Sequence, residues 1–219
     1  MVQYIRIYKK RGIFMNYQLV LENELKNLDG VPKLLLHVCC APCSSYVLEY
    51  LSNYFAITVF YYNPNIDTYE EYNKRMEESR RFTNEFKGKY PIKFVEIGHN
   101  NDEYESVIDG LRLEKEGGAR CFKCYRLRLE KAFIYAKEHG YDYVTTSLTI
   151  SPLKNSQKIN EIGDELSRVY GIKYLFSDFK KKEGYKRSIV LSREYNLYRQ
   201  NYCGCKYSKR NINEEVKTS

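Results

Sequence analysis

The chain has 219 residues, with 36 Lys and Arg against 28 Asp and Glu, a formal net charge of +8. Hydrophobic residues make up 43% and charged residues 29%, which excludes a disordered chain. No run approaches the ~18 apolar residues of a membrane-spanning helix. The length suits one domain with a full core. The basic balance suits a polyanion such as nucleic acid, and 23 Tyr with no Trp can fill the core or, where exposed, stack on unpaired bases. Seven cysteines without a secretory signal predict a reducing, cytoplasmic setting, where clustered thiols bind metal or do redox work.

Residues 1–14, "MVQYIRIYKKRGIF", are basic but lack the apolar core of a signal peptide. They read as an N-terminal extension, disordered or a mis-assigned start, because "MNYQLVLENEL" from Met15 makes an ordinary N-terminus. Residues 15–219 then form a single catalytic domain. "KLLLHVCC" (Lys33–Cys40) is a buried strand, and "SSYVLEYLSNY" (Ser44–Tyr54) is helical by the spacing of Val47, Leu48 and Leu51. "AITVFYYNP" (Ala56–Pro64) is a second strand, and Asp67 or Thr68 caps the charged helix that follows. "PIKFVEIG" (Pro91–Gly98) is a third strand. "NDEYESVIDGLRLEKE" is helical until "GGAR" breaks it, and "CFKCYRLRLEKAFIYAKEHG" (Cys121–Gly140) is a long helix ending in glycine. "YDYVTTSL" is the fourth strand, Asn155–Gly171 a helix, and "IKYLFSDF" (Ile172–Phe179) the fifth strand. The remainder is a basic, partly helical C-terminal extension with a polar tail that frays.

Alternation of this kind predicts an α/β fold, a five-stranded parallel sheet with helices on both faces. Such sheets bind ligands beyond the carboxyl ends of the strands, where the strand order reverses. Cys39, Cys40 and Cys43 lie where the first strand hands over to a helix. Cys121 and Cys124 form a CxxC at a helix entry, where free N–H groups and the helix dipole stabilise negative sulfur. Cys203 and Cys205 flank Gly204. If the loop at Cys121 folds over the first strand, four or five thiolates converge, enough for an iron–sulfur cluster or structural zinc. A CxC disulfide closes a small, strained ring that suits redox chemistry, although the same pair would also serve as metal ligands.

These residues resemble the QueH type of epoxyqueuosine reductase. The similarity runs from about Lys33 to Ser208, through "LLLHVCCAPCS", "YNPNI", "EEYNKR", "EGGARCFKCYRLRL", "TTSLTISPLKN" and "FSDFKKKEGYKRSIVLSREYNLYRQNYCGCKYS" in the family's order. The resemblance implies a Rossmann-like fold of the nucleotide hydrolase (HUP-like) group. It also implies two-electron removal of the epoxide oxygen of epoxyqueuosine in the tRNA anticodon loop, the last step to queuosine. The partners implied are tRNA and an external electron donor. The cofactor implied is a [4Fe-4S] cluster on Cys39, Cys40, Cys121 and Cys124, with an adjacent mononuclear iron or other divalent metal. Cys203 and Cys205 are then the catalytic, redox-active pair. Cys43 is left to hold the second metal, to replace a cluster ligand, or to support the site. Two alternatives stay open: another iron–sulfur tRNA-modifying enzyme, such as a sulfur transferase, and a zinc-stapled RNA-binding module. Against sulfur transfer, no "SGGxDS"-like loop follows the first strand.

Further candidates lie at strand ends and helix starts. Asn63 and Asn65 end the second strand, and Tyr72 and Arg75 follow at helical spacing. Arg120 stands beside the CxxC, and Thr146, Ser151 and Lys154 close the fourth strand. All eight are substrate-binding candidates, each weighed against a turn or packing role. His37, alone in a strand, is read as packed and hydrogen-bonded rather than as a ligand. The basic, Tyr-rich stretches Lys180–Arg187 and Tyr198–Arg210 are candidate RNA contacts.

Overall fold

The computed structural model describes residues 15–208. The expected N-terminal extension, the fraying tail and the end of the second basic stretch lie outside the described residues. Five parallel strands form one sheet: β1 (Lys33–Val38), β2 (Ala56–Tyr61), β3 (Ile92–Glu96), β4 (Tyr143–Thr146) and β5 (Lys173–Tyr174), in the order β3-β2-β1-β4-β5. The central strand β1 pairs with β2 on one side and β4 on the other, with His37 opposite both Phe60 and Thr146. The strand order reverses between β1 and β4, so the crevice of this fold opens at their carboxyl ends.

Seven α-helices are present among the described residues: α1 (Tyr17–Lys26), α2 (Ala41–Leu51), α3 (Tyr69–Glu85), α4 (Asn101–Val107), α5 (Ala119–Glu138), α6 (Ser156–Tyr170) and α7 (Gly184–Glu194), with 3-10 turns at Ser147–Ile150 and Lys206–Ser208. Side chains of β1 alternate between the two faces. Leu34, Leu36 and Val38 join one core with Val47, Leu48 and Leu51 of α2 and with Tyr72, Met76 and Phe82 of α3. Leu35 joins the other core with Leu129 and Phe133 of α5 and with Ile159, Ile162 and Leu166 of α6. Because both faces are covered, β1 is apolar at nearly every position and not at alternate ones.

Local signals set most boundaries. Thr68 is the cap of α3, its hydroxyl accepting from Glu71 N at 3.3 Å. Asn155 caps α6 through Lys158 N at 2.9 Å, and Gly171, at φ +73°, ends it. The segment from Met15 hides a helix that the sequence pattern does not announce, α1, capped by Asn16.

Three expected elements are shorter than their apolar runs. The fifth strand covers two residues, not Ile172–Phe179, because side chains take the backbone groups a ladder would use. Thr145 Oγ1 donates to Leu175 O at 2.8 Å, and Asn160 bonds both Ser177 N and Ser177 O. The fourth strand ends at Thr146, whose hydroxyl accepts from Leu148 N at 3.1 Å and turns the chain into the 3-10 turn. The helix expected over residues 101–116 stops at Val107. Gly110 has φ +74°, and Arg120 donates to the carbonyls of Arg112 and Glu114, which holds that segment as turns.

Candidate active site

Strand β1 stops at Val38, whose carbonyl accepts from Asn63 Nδ2 at 3.0 Å. Cys39 and Cys40 therefore lie just past the strand, and Cys40 caps α2, with Pro42 in its first turn. This turn brings three sulfurs together: the Sγ atoms of Cys39, Cys40 and Cys43 all lie within 4.8 Å of one another. Cys39 and Cys40 are 3.8 Å apart, and Cys39 Sγ is 3.9 Å from Ser147 Oγ on the β4 side of the crevice. Hydrogen bonds from the Cys40 and Cys43 thiols hold Cys39 well below the ordinary thiol range. The hydrogen bond to Cys39, with burial, pushes Cys40 up to about 12, and those to Cys39 and Cys40 raise Cys43.

Cys121 and Cys124 ride on the start of α5. Cys121 Sγ accepts from Gly117 N at 3.2 Å. Burial pushes Cys124 up to about 11, and Arg128 Nη1 points at its sulfur from 3.9 Å. Both interact electrostatically with Cys203. Cys203 and Cys205 are free thiols in this structure. A hydrogen bond from Cys205 depresses Cys203, with Lys154 adding to the effect against burial, and Cys205 is raised in turn.

The loop carrying this last pair is docked on the β2–α3 connection. Asp67 N donates to Gly204 O at 3.0 Å, Asn65 Nδ2 to Cys203 O at 3.4 Å, and Arg75 Nη2 to Tyr202 O at 3.5 Å. The result is a cavity of about 300 Å³ whose wall includes Cys39, Cys43 and Cys203 together with Arg75, Lys154 and Arg199. Burial alone would lower Lys154, but the sulfurs of Cys203, Cys39 and Cys43 outweigh it and raise it, so its ammonium is retained.

Of the substrate-binding candidates, Arg75, Ser151 and Lys154 line this cavity. The other five are engaged inside the protein. Asn63 bonds Val38 and Arg128, and Asn65 bonds the Cys203 carbonyl. Tyr72 donates to Glu96 Oε1 at 2.9 Å. Arg120 holds backbone carbonyls, and Thr146 Oγ1 lies 2.8 Å from His37 Nδ1. His37 is fully buried and hydrogen-bonded, and burial, reinforced by Arg128, pulls its pKa down to about 3.

Three residues of the site escape the sequence reading. Arg128 lies behind the sulfurs, Tyr104 has its hydroxyl 2.9 Å from Cys205 Sγ, and Ser208 has Oγ 3.1 Å from Cys203 Sγ. Only Arg128 left a trace in the sequence: it falls one helical turn after Cys124 and two after Cys121, hence on their face of α5.

A donor set of clustered thiols suits a soft, thiophilic metal or an iron–sulfur group, and three sulfurs gathered at a strand end fit such a group. Among the described residues no helix is long and apolar enough to cross a membrane.

The family model described as "Epoxyqueuosine reductase QueH" matches residues 34–211. A protein of that name from Streptococcus pyogenes serotype M1 is 45% identical over 199 residues, covering 89% of this chain and 78% of the relative. One from Staphylococcus epidermidis is 43% identical over 207 residues, covering 91% and 87%. A more distant one from Thermotoga maritima is 36% identical over 183 residues, covering 80% and 89%. With thiols from both ends of the chain drawn to one crevice and the match running from β1 through the Cys203 loop, the chain belongs to the QueH family of epoxyqueuosine reductases.

Proposed function

We propose that this protein reduces epoxyqueuosine in the anticodon loop of tRNA to queuosine, in the cytoplasm. The observation that carries the reading is the single cavity shared by Cys39, Cys43 and Cys203, with Arg75, Lys154 and Arg199 on its wall. Removing the epoxide oxygen as water takes two electrons and two protons, and a dithiol that becomes a disulfide releases both. Cys203 and Cys205 are the pair in that role.

Cys39, Cys40, Cys121 and Cys124 would hold a [4Fe-4S] cluster, with Cys43 available to it or to a neighbouring divalent metal. When bound, the cluster supplies electrons one at a time. The protein's own groups do the rest. Lys154 places a positive charge beside the sulfurs that line the cavity, where it can hydrogen-bond the epoxide oxygen as negative charge develops there. Arg75 and Arg199 add positive charge to the wall and favour an RNA backbone. A base reaching this cavity must leave its stack, which an anticodon loop permits more readily than a duplex. An external electron donor then returns the thiol pair to its reduced form.

The test is anaerobic incubation of the purified, metal-loaded protein with a chemical reductant and epoxyqueuosine-bearing tRNA, followed by mass spectrometry of the nucleosides. Loss of one oxygen from the modified nucleoside supports the reading. A brown, cluster-loaded protein that leaves the nucleoside unchanged sinks it.

A further inference from the structure

Cys203 and Cys205 are separated by one residue yet have different surroundings. Cys203 lines the cavity with Cys39, Cys43 and Lys154, and Ser208 Oγ lies 3.1 Å from its sulfur. Cys205 is 4% exposed and is not part of the cavity wall. It is buried in a cluster with Tyr104, Ile108 and Cys124, against which the partly buried Cys203 packs from the cavity side, and Tyr104 Oη is 2.9 Å from its sulfur. The backbone between the two is locked. Gly204 has φ +103°, and a Cβ there would come within 2.8 Å of Ile66 Cγ1. Bonds from Asn65 and Asp67 hold the carbonyls on either side of the turn. The two sulfurs cannot exchange places without undocking the loop.

We infer that Cys203 is the thiol through which the pair exchanges with an external dithiol, that Cys205 is the buried resolving thiol, and that Tyr104 positions it. This rests on the reading of the two as a dithiol/disulfide pair. After turnover the pair is a disulfide. A thiolate of the external dithiol enters the cavity and attacks Cys203 Sγ. A mixed disulfide forms, the Cys203–Cys205 bond breaks, and its electron pair leaves on Cys205. Tyr104 donates a hydrogen bond to that sulfur, which takes a proton from the second thiol of the reductant. The second thiolate then attacks the reductant's own sulfur in the mixed disulfide. Cys203 leaves as a thiolate and takes up the proton that the first thiol had released. The reductant departs as a disulfide, having given two electrons and two protons.

Trypsin would release Gln200–Lys206, a peptide that contains these two cysteines and no other. The metal-loaded Cys203→Ser and Cys205→Ser proteins are incubated with glutathione disulfide, and that peptide is weighed over time. Because thiol–disulfide exchange follows access to the sulfur, Cys205→Ser should acquire glutathione about tenfold faster than Cys203→Ser. Equal rates, or the reverse order, overturn the inference. The oxidised wild-type peptide separates the two ways of failing. If it has lost two hydrogens, only the order of the thiols is wrong; if it has not, the pair itself is wrong.

Tyr104→Phe is measured in glutathione redox buffers by the same peptide. Losing a hydrogen bond to the reduced sulfur should favour the disulfide about threefold to tenfold. A residue that only packed would lower the urea midpoint and leave that equilibrium in place, and an unchanged equilibrium in a folded Tyr104→Phe protein overturns its part.

Discussion

Arg128 Nε lies 3.3 Å from His37 Nε2, with both side chains buried. The same Nε2 lies 3.2 Å from the Tyr62 carbonyl, and Nδ1 lies 2.8 Å from Thr146 Oγ1, so both ring nitrogens are engaged. Arg128 also donates to Asn63 Oδ1 and faces Cys124 Sγ. Burial opposes its charge, and the sulfurs of Cys124 and Cys39 outweigh burial. One side chain of α5 thus ties the ends of β1 and β2 to the thiols.

Arg128→Met should destabilise the protein by about 3 kcal/mol, since it strands buried polar partners of the guanidinium. Urea unfolding followed by circular dichroism reads this directly. Arg128→Lys, which keeps the charge without the planar fork, should recover only part of the loss.

Gly204→Ala adds a Cβ within 2.8 Å of Ile66 Cγ1 and 3.2 Å of Arg75 Nη1, at a φ of +103°. Strain of this kind costs about 1–3 kcal/mol. The cost should fall on the docking of the Cys203 loop, so proteolysis near Tyr202 should accelerate and reductase activity should fall more than global stability does.

Glu78 anchors the start of the same extension, accepting from Tyr198 N at 2.7 Å and from Arg81 at 2.9 Å. Burial raises its pKa, but the Arg81 and Tyr198 hydrogen bonds outweigh that and leave it lowered. Its contribution to stability is present above the unfolded carboxylate value and is lost as pH falls through the depressed folded one. Unfolding free energy should therefore decline as acid is added below about pH 4.5. Glu78→Gln should flatten that decline and cost about 1 kcal/mol at neutral pH.

If the cluster ligands are as proposed, Cys39→Ser and Cys124→Ser should lower iron and sulfide per chain, while Cys203→Ser should leave them near the wild-type level. Metal analysis of anaerobically purified proteins checks the division without any assay of turnover. Equal loss in all three would place Cys203 among the ligands.

Arg199 lines the cavity and is exposed. Arg199→Gln should weaken tRNA binding and make the slope of log affinity against log salt shallower by about 1, as loss of one phosphate contact does. Filter binding over a salt series measures it.

The parallel sheet and the position of Cys39 and Cys40 beyond its first strand were legible along the chain. Buried strands of a covered sheet are continuous apolar runs, helices repeat at 3.6 residues, and both patterns are local. Thr68, Asn155 and Gly171 could likewise be assigned to helix ends, because capping acts within a turn or two. The short fifth strand could not be read the same way: its apolar run is genuine, but Thr145 and Asn160, 30 and 17 residues distant from their partners, claim its backbone groups. Nor could Tyr104 or the difference between Cys203 and Cys205, since Tyr104 and Cys205 are 101 residues apart. Such contacts form only when the two cores pack on the sheet and the extension closes over the β2–α3 connection. Which thiol faces the cavity is therefore a property of the assembled fold, and spacing along the chain carries no trace of it.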